Sequence, residues 1–215
     1  MQQINKFSVY KQGKKLFVKT KYPAAFSEKI ISFEGQKYKE ANPERSKFFA
    51  AIAKGLSQTG IKEDSKILYL GASHGYTVSY MCEIVNKGLI FAVDFAPSVM
   101  KDLVFFAEKR ENIIPIYADA NKPEEYKEEL TEIDVLFQDI AQREQVKIFL
   151  KNMELIKKGG FGLLALKSRS IDITKKPKQI FQEARKELEK KHVIVDYREL
   201  HPFEKDHAFF VVKKK

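Results

Sequence analysis

The sequence has one cysteine, Cys82, among its 215 residues, and it has no tryptophan. A lone cysteine cannot form an internal disulfide, which excludes a disulfide-stapled scaffold and favours a reducing compartment. No apolar run is long enough to span a bilayer, and residues 1–6 lack the apolar segment of a signal peptide. We therefore expect a soluble, cytoplasmic protein with no membrane partner.

Internal repeats and low-complexity linkers are also lacking, whereas core-forming residues are plentiful. Hydrophobic residues make up 44% of the chain, with 17 Phe and 9 Tyr, which argues against disorder. The length suits one α/β domain plus a small extra element. Lys and Arg number 39 against 29 Asp and Glu, a net charge of +10. This surplus favours either a nucleic-acid partner or an ordinary lysine-rich surface.

Hydrophobic periodicity predicts two regions. Residues 1–40 contain short β-prone runs at 7–10, 15–19, 29–33 and 37–38, with turns at Gly13 and 34–36, so we expect a small β-rich element. Residues 41–215 begin with a helix at 44–54, capped by Asn42 with Pro43 in the first position. Predicted strands at 66–70, 89–93, 113–117, 135–137 and 161–166 then alternate with helices at 77–85, 98–108, 123–130 and 144–155. A helix at 177–190 and strands at 193–197 and 208–212 follow.

Strands that alternate with helices predict an α/β fold with a mostly parallel sheet. Such sheets bind ligands at the carboxyl ends of their strands. The small residues of the 71–77 turn allow the backbone to approach a ligand closely. Asp94 and Asp119 end the next two strands, where they could bind the ribose and the adenine of an adenosine. Alternatively, each aspartate simply caps the following helix.

Two common nucleotide-binding signatures are missing. The 71–77 turn contains neither the Gly-x-Gly-x-x-Gly pattern of dinucleotide folds nor the Gly-Lys-Ser/Thr of a P-loop. A nicotinamide enzyme and a P-loop NTPase are therefore disfavoured, and adenosyl-type ligands remain.

Seven segments together resemble the archaeal fibrillarin family in order and spacing, over roughly residues 37–212. The segments are 66–73, 91–97, 111–116, 119–123, 138–142, 167–172 and 202–207. The resemblance implies a Rossmann-like class I methyltransferase fold that uses S-adenosylmethionine. It also implies 2′-O-methylation of ribose in rRNA and tRNA, directed by a box C/D guide RNA.

The resemblance also implies a set of site residues and requires no metal. The catalytic set is Lys47, Asp139, Lys167 and His207. The cofactor-binding set is Gly71, Ala72, Tyr76, Thr77, Asp94, Phe95, Asp119, Ala120, Asp139, Ile140, Ala141 and Gln142. Lys167 would polarise the attacking hydroxyl, Asp139 would orient Lys167, and Lys47 would hold the acceptor. Taken singly, Lys47 could be a surface lysine, and Asp139 or His207 could be strand-end residues.

Some positions depart from the family pattern: Tyr76 replaces a threonine, and Asp94 replaces a glutamate. The implied partners are a box C/D guide RNA, an rRNA or tRNA substrate, a Nop-type scaffold protein and a kink-turn-binding ribosomal-type protein. No appended RNA-reading module is visible, which fits guidance by another molecule. Two alternatives stay open: a stand-alone methyltransferase that needs no guide, and a catalytically silent assembly subunit.

Overall fold

The computed structural model describes residues 1–4 and 8–215, so Phe7, the first residue of the predicted strand 7–10, lies outside the described residues. In this described part, the first strands form an antiparallel sheet of order β1-β2-β3-β5-β4, here called the N-terminal sheet. Its strands are Gln2–Ile4 (β1), Val9–Gln12 (β2), Lys15–Lys19 (β3), Ile30–Phe33 (β4) and Gln36–Ala41 (β5). Gly13 and Gly35 have positive φ and form the predicted hairpin turns.

The remaining strands form a larger sheet of order β11-β12-β10-β9-β6-β7-β8. They are Lys66–Leu70 (β6), Leu89–Asp94 (β7), Ile113–Tyr117 (β8), Ile133–Gln138 (β9), Ile156–Lys167 (β10), His192–Glu199 (β11) and His207–Lys214 (β12). Strands β8, β7, β6, β9 and β10 run parallel, and β12 pairs antiparallel with both β10 and β11. The predicted α/β class and the mostly parallel sheet are confirmed.

Helices cover both faces of the larger sheet. They are Lys47–Ala53 (α1), Val78–Ile84 (α2), Pro97–Ala107 (α3), Gln145–Met153 (α4), Ser168–Ile171 (α5) and Pro177–Glu189 (α6). Alternate residues of β6 serve the two faces: Tyr69 packs in the core beneath α1, α2 and α3, and Leu70 packs in the core beneath α4 and α6. Within the described residues, no helix is long and apolar enough to cross a membrane.

Two helix predictions needed correction. The helix expected at 44–54 begins only at Lys47, because the Glu44 amide donates to the Asn42 side chain at 2.8 Å and closes a turn first. The helix expected at 123–130 is wrong. Two short 3₁₀ turns, Pro123–Glu125 and Lys127–Glu129, replace it. Between them Tyr126 is buried and its hydroxyl donates to Asn152, so tertiary packing overrides the local helix pattern.

A fully buried lysine joins the N-terminal sheet to the larger unit. Lys39 lies on β5, and its Nζ is 2.7 Å from a Glu83 carboxylate oxygen on α2. The same ammonium donates to the Ser79 carbonyl at 2.9 Å and lies 4.4 Å from the centre of the Tyr80 ring. Burial raises the pKa of Glu83 above its ordinary value, although the charge of Lys39 opposes that shift. The charged form of each buried side chain is therefore stabilised by the opposite charge of its partner.

We expect Lys39→Ala to lower the free energy of unfolding by about 3–5 kcal/mol, because it leaves the Glu83 carboxylate buried without a cation. Urea unfolding followed by circular dichroism measures the loss. Lys15→Ala is the matched control, since Lys15 pairs with Glu40 at 2.8 Å on the surface. Its cost should be about 1 kcal/mol or less. Equal losses in the two variants would contradict the anchoring role of Lys39.

Candidate active site

The parallel register brings the ends of three strands to one edge of the larger sheet. Leu70, the last residue of β6, is aligned with Val93 on β7 and Gln138 on β9. The chain then continues directly into Gly71 after β6 and Asp139 after β9, and Asp94 ends β7. The Asp139 amide donates to the Leu70 carbonyl at 2.9 Å, which fastens these two strand ends together.

Close approach at this edge explains the glycine at position 71. Gly71 has a φ of +79°, and a Cβ atom there would lie 2.4 Å from the Asp139 carbonyl oxygen. Any side chain would therefore force the two strand ends apart. The glycine is therefore required by the approach of the Asp139 backbone, and the predicted approach of this turn to a ligand stays a prediction.

Two adjoining cavities meet at this edge and share Gly71, Ser73 and Asp139. The smaller cavity, of about 260 Å³, is lined by Gly71, Ser73, Val93, Asp94, Phe95, Ala118, Ala120, Asp139, Ile140, Ala141 and Gln142. The larger one, a groove of about 830 Å³, includes Lys47, Gly71, Ala72, Tyr76, Thr77 and Asp139 in its lining. Most predicted cofactor residues thus line one of the two cavities. Ser73, Val93 and Ala118 are lining residues that sequence reasoning missed.

The residues that line the smaller cavity fit an adenosyl sulfonium compound. Apolar side chains such as Phe95 and Ile140 suit a flat purine, and the Asp94 carboxylate suits ribose hydroxyls. The Asp139 carboxylate borders both cavities, where it suits a cationic group.

Asp94 and Asp119 both hold their own loops. The Asp94 carboxylate accepts hydrogen bonds from the Ser73 amide at 2.8 Å and the Ala96 amide at 3.1 Å. Asp119 accepts from the Asn121 amide at 2.9 Å and does not line either cavity. The alternative in which each aspartate caps the following helix is wrong, because Ala96 and Lys122 precede the helical segments and neither segment has a side-chain cap. Asp119 holds its own loop, whereas Asp94 combines a loop-holding role with a position on the cavity wall.

Lys47 and Asp139 form an ion pair inside the groove. The Lys47 Nζ lies 3.1 Å from Asp139 Oδ1, and the two side chains are only 23% and 21% exposed. Lys47 is the first residue of α1, and Thr77 donates to the Ser46 hydroxyl just before it at 3.1 Å. This bond connects the start of α1 to the glycine-containing turn, so Lys47 is held in place and is not a freely solvated lysine.

Lys167 and His207 face each other across β10 and β12, where they are direct partners in the antiparallel register. His207 is buried, and its Nδ1–H donates to the Lys205 carbonyl at 2.7 Å. Burial lowers the pKa of His207 below its ordinary value, and the charge of Lys47 also lowers it, although the hydrogen bond to Lys205 and the Glu204 and Asp139 carboxylates oppose that shift. The imidazole is therefore neutral at neutral pH. With its proton on Nδ1, the lone pair lies on Nε2.

Sequence reasoning missed Gln145, whose side chain is hydrogen-bonded to the backbone of both Lys167 and Gln142. Its buried side chain accepts from the Lys167 amide at 2.9 Å and donates to the Lys167 carbonyl at 3.0 Å. The same amide group donates to the Gln142 carbonyl at 2.9 Å in the loop that follows β9. In turn, the Gln138 side chain donates to the Gln145 carbonyl at 2.6 Å. The sequence does contain one signal for this network, because Gln138 is a polar residue at the end of the apolar run of β9.

A second group of hydrogen bonds joins the residues next to Lys167 at the end of β10 and next to His207 at the start of β12. The Ser168 hydroxyl donates to the Asp206 carbonyl at 2.9 Å, and Arg169 Nε donates to the Asp206 carboxylate at 3.0 Å. Asp206 immediately precedes His207, so these bonds limit the freedom of both predicted catalytic residues.

Comparisons with known proteins agree with this architecture. The family model described as Fibrillarin matches residues 2–215. A fibrillarin-like rRNA/tRNA 2′-O-methyltransferase of Methanocaldococcus jannaschii is 49% identical over 188 residues, which cover 86% of this chain and 82% of that protein. A chain of the solved fibrillarin/Nop5p complex has a TM-score of 0.90 and 37% identity, covering 97% of this chain and 98% of that chain. Aeropyrum pernix fibrillarin, solved with natively bound S-adenosyl-L-methionine, has a TM-score of 0.84 and 38% identity, covering 92% of this chain and 88% of that one. The chain belongs to the fibrillarin family.

Proposed function

We propose that this chain transfers a methyl group from S-adenosylmethionine to the ribose 2′-hydroxyl of rRNA and tRNA. The observation that carries the proposal is the Lys47–Asp139 ion pair at the meeting point of the two cavities. Lys167 and His207 face each other on strands of the same sheet. Family membership supports the same activity, because the relatives are named as rRNA/tRNA 2′-O-methyltransferases.

The smaller cavity would hold the adenosine part of the cofactor, with Asp94 toward the ribose and Phe95 and Ile140 toward the adenine. When bound, S-adenosylmethionine supplies a methyl group on a cationic sulfur that is already a good leaving group. The chain itself therefore has to bind and align the cofactor and the acceptor ribose and to exclude water from them. It also has to provide an acceptor for one proton.

That proton belongs to the acceptor hydroxyl, which is a poor nucleophile while protonated. The Lys167 ammonium can donate a hydrogen bond to the hydroxyl oxygen and stabilise the negative charge that develops there. Neutral His207 offers the Nε2 lone pair as a proton acceptor. Lys47, held by Asp139, can bind the acceptor ribose or its phosphate. Gln145 fixes the Lys167 backbone on both sides, so little reorganisation is needed at the moment of reaction.

Target selection would come from partner molecules. The neighbour in the fibrillarin/Nop5p complex assembles with a Nop-type protein. We extend this to a box C/D particle in which a guide RNA pairs with the target and a kink-turn-binding protein anchors the guide. Residues 1–4 and 8–215 form the two sheets and their helices without a separate module that would read a base sequence, and guided selection fits this arrangement.

Lys167→Ala should lower the rate of methyl transfer roughly a hundredfold or more, because the ammonium acts mainly on the transition state. Cofactor affinity and assembly should be nearly unchanged. Single-turnover transfer in the assembled particle measures the rate, and calorimetry measures the affinity. Lys158→Ala is the matched control, since Lys158 is an exposed lysine at the opposite end of β10. A near-normal rate for Lys167→Ala would remove Lys167 from the chemistry. An inactive wild-type particle would instead favour the silent assembly subunit.

Asp94→Asn should weaken cofactor binding roughly tenfold or more, because the ribose hydroxyls lose a charged acceptor. The Ser73 and Ala96 amides donate to different carboxylate oxygens, so asparagine keeps one of these two hydrogen bonds, and circular dichroism should show that the fold survives. Calorimetric titration of the purified chain measures the affinity. Asp64→Asn, an exposed change before β6, should bind the cofactor like wild type. Wild-type affinity in Asp94→Asn would show that Asp94 only holds its loop.

The isolated chain should methylate free RNA at a negligible rate. Addition of the Nop-type scaffold, the kink-turn-binding protein and a box C/D guide should activate transfer at the nucleotide opposite the guide. Transfer of label from the cofactor to a target RNA, with each component omitted in turn, measures this dependence. Sequence-selective methylation by the chain alone would instead establish the stand-alone enzyme.

A further inference from the structure

Tyr76 lies where the glycine-containing turn meets the N-terminal sheet. Of the two cavities it lines the groove, whereas the smaller cavity, which fits an adenosyl group, is lined by other residues. The half-buried Tyr76 ring makes edge contacts with Phe26 and with Tyr80 of α2, and the ring centres are 5.6 Å and 5.4 Å apart. Its side chain therefore needs an explanation other than contact with the adenosine.

The Tyr76 hydroxyl is tied to the N-terminal sheet through Tyr80. The two phenol oxygens are 3.2 Å apart, and the Tyr80 hydroxyl donates to the Glu40 carbonyl of β5 at 2.8 Å. A carbonyl can only accept, so the single hydroxyl proton of Tyr80 goes to Glu40. The Tyr76 hydroxyl must then be the donor to Tyr80. Both hydrogen bonds run in one direction, from the turn through α2 to β5.

The face of the same ring supports Arg45. The guanidinium carbon lies 4.1 Å from the centre of the Tyr76 ring, and the guanidinium also donates to the Phe26 carbonyl at 3.2 Å. A planar guanidinium that lies on an aromatic face and makes a hydrogen bond has few orientations open to it. Tyr76 and Phe26 together therefore hold the Arg45 side chain in place.

The next residue of the turn holds the next residue of that segment. Thr77 donates to the Ser46 hydroxyl at 3.1 Å, and both residues are buried. Ser46 precedes α1 but makes no side-chain capping bond to this helix, so the start of α1 is held from outside. Tyr76 and Thr77 thus fix two successive residues, Arg45 and Ser46, directly before Lys47.

Both members of the Lys47–Asp139 ion pair are consequently anchored at the end of β6. Asp139 is anchored by its amide, which donates to the Leu70 carbonyl at 2.9 Å. Lys47 is anchored by the turn that follows Leu70. A lysine side chain is long and flexible, so its ammonium stays at one place only when the backbone that carries it is fixed. The 3.1 Å separation of the pair therefore depends on contacts made by the turn.

We propose that Tyr76 is a positioning residue for Lys47. Its ring and hydroxyl hold Arg45 against the N-terminal sheet, and this fixes the first turn of α1 so that the Lys47 ammonium stays on Asp139. The consequence for methyl transfer rests on the proposed function, whereas the placement of Lys47 does not. A residue that only packs against the N-terminal sheet would make the same ring contacts without controlling Lys47.

The placement of Lys47 can be measured on the purified chain without turnover. Lysine amines are acetylated with limiting reagent, and the modification of each lysine is quantified by peptide mass spectrometry. Tyr76→Leu should raise the labelling rate of Lys47 roughly threefold or more, because the ion pair is open for a larger fraction of the time. Lys87, which pairs with Glu63 on the surface, is the internal reference and should keep its labelling rate.

Two further variants sharpen this measurement. Arg45→Gln removes the cation without changing the packing of Tyr76, and it should also raise the labelling of Lys47. Tyr10→Leu is the matched control, because Tyr10 is a half-buried tyrosine that makes an edge contact with Tyr38, with ring centres 5.0 Å apart, inside the N-terminal sheet. It should leave Lys47 labelling at the wild-type level.

A double-mutant cycle in the assembled particle tests the consequence for catalysis. Tyr76→Leu should lower the single-turnover rate roughly tenfold in the wild-type background but less than about twofold when Lys47→Ala is already present, because it acts through Lys47. A general loss of structure would lower the rate by the same factor in both backgrounds. Calorimetry should show nearly unchanged cofactor affinity in Tyr76→Leu.

Wild-type labelling of Lys47 in both Tyr76→Leu and Arg45→Gln would overturn the proposal. Equal rate factors in the two backgrounds would also overturn it, and so would a fall in cofactor affinity as large as the fall in rate, which would assign Tyr76 to cofactor binding. Absence of methyl transfer in the assembled wild-type particle would refute the proposed function alone, because the labelling experiment needs no turnover.

Discussion

The alignment of parallel strands in the larger sheet is the constraint on which the site depends. Leu70 is in register with Val93 and Gln138, and Gln138 is in register with Leu164 on β10. Every loop that follows these strands must therefore leave from the same edge. The Gly71 backbone then passes so close to Asp139 that no side chain fits between them. The smaller cavity and the groove adjoin because two strand ends are held together at this point.

Two polar side chains at this edge, Asp94 and Gln145, hold backbone groups beside the cavities. Asp94 holds the Ser73 amide while it borders the smaller cavity. Gln145 joins the loop after β9, at Gln142, to the backbone of Lys167. Such side chains satisfy buried backbone groups that would otherwise be costly. The arrangement couples the two halves of the site, since movement of one loop strains the hydrogen bonds of the other.

The N-terminal sheet is attached through charge as well as through packing. The Lys39 ammonium is surrounded by Glu83, Ser79 and Tyr80 of α2, and Glu28 lies 3.9 Å away. Glu28 also shapes the 23–26 segment that faces α3 across the groove. One buried cluster therefore fixes both the position of the sheet and the wall that it contributes.

Much of the fold could be predicted from local pattern. Strands β6 and β8 have the predicted bounds, because a short apolar run between turn residues has few other ways to bury its side chains. Prediction failed at 123–130, where the buried Tyr126 hydroxyl bonds to Asn152 and a local helix signal was overridden. It also placed the start of α1 too early, because the Asn42 side chain favours a turn. Both errors come from hydrogen bonds that periodicity does not represent.

The sequence by itself determined the alternation of strands and helices, the polar residues that end the strands and the family resemblance, since all of these are properties of neighbouring residues. Only the tertiary structure decided that Lys47 pairs with Asp139, that Gln145 braces Lys167, and that Arg45 lies over the ring of Tyr76. Lys47 and Asp139 are 92 residues apart in the chain. Contacts over such separations depend on the packing of whole elements, which no local pattern in a single sequence specifies.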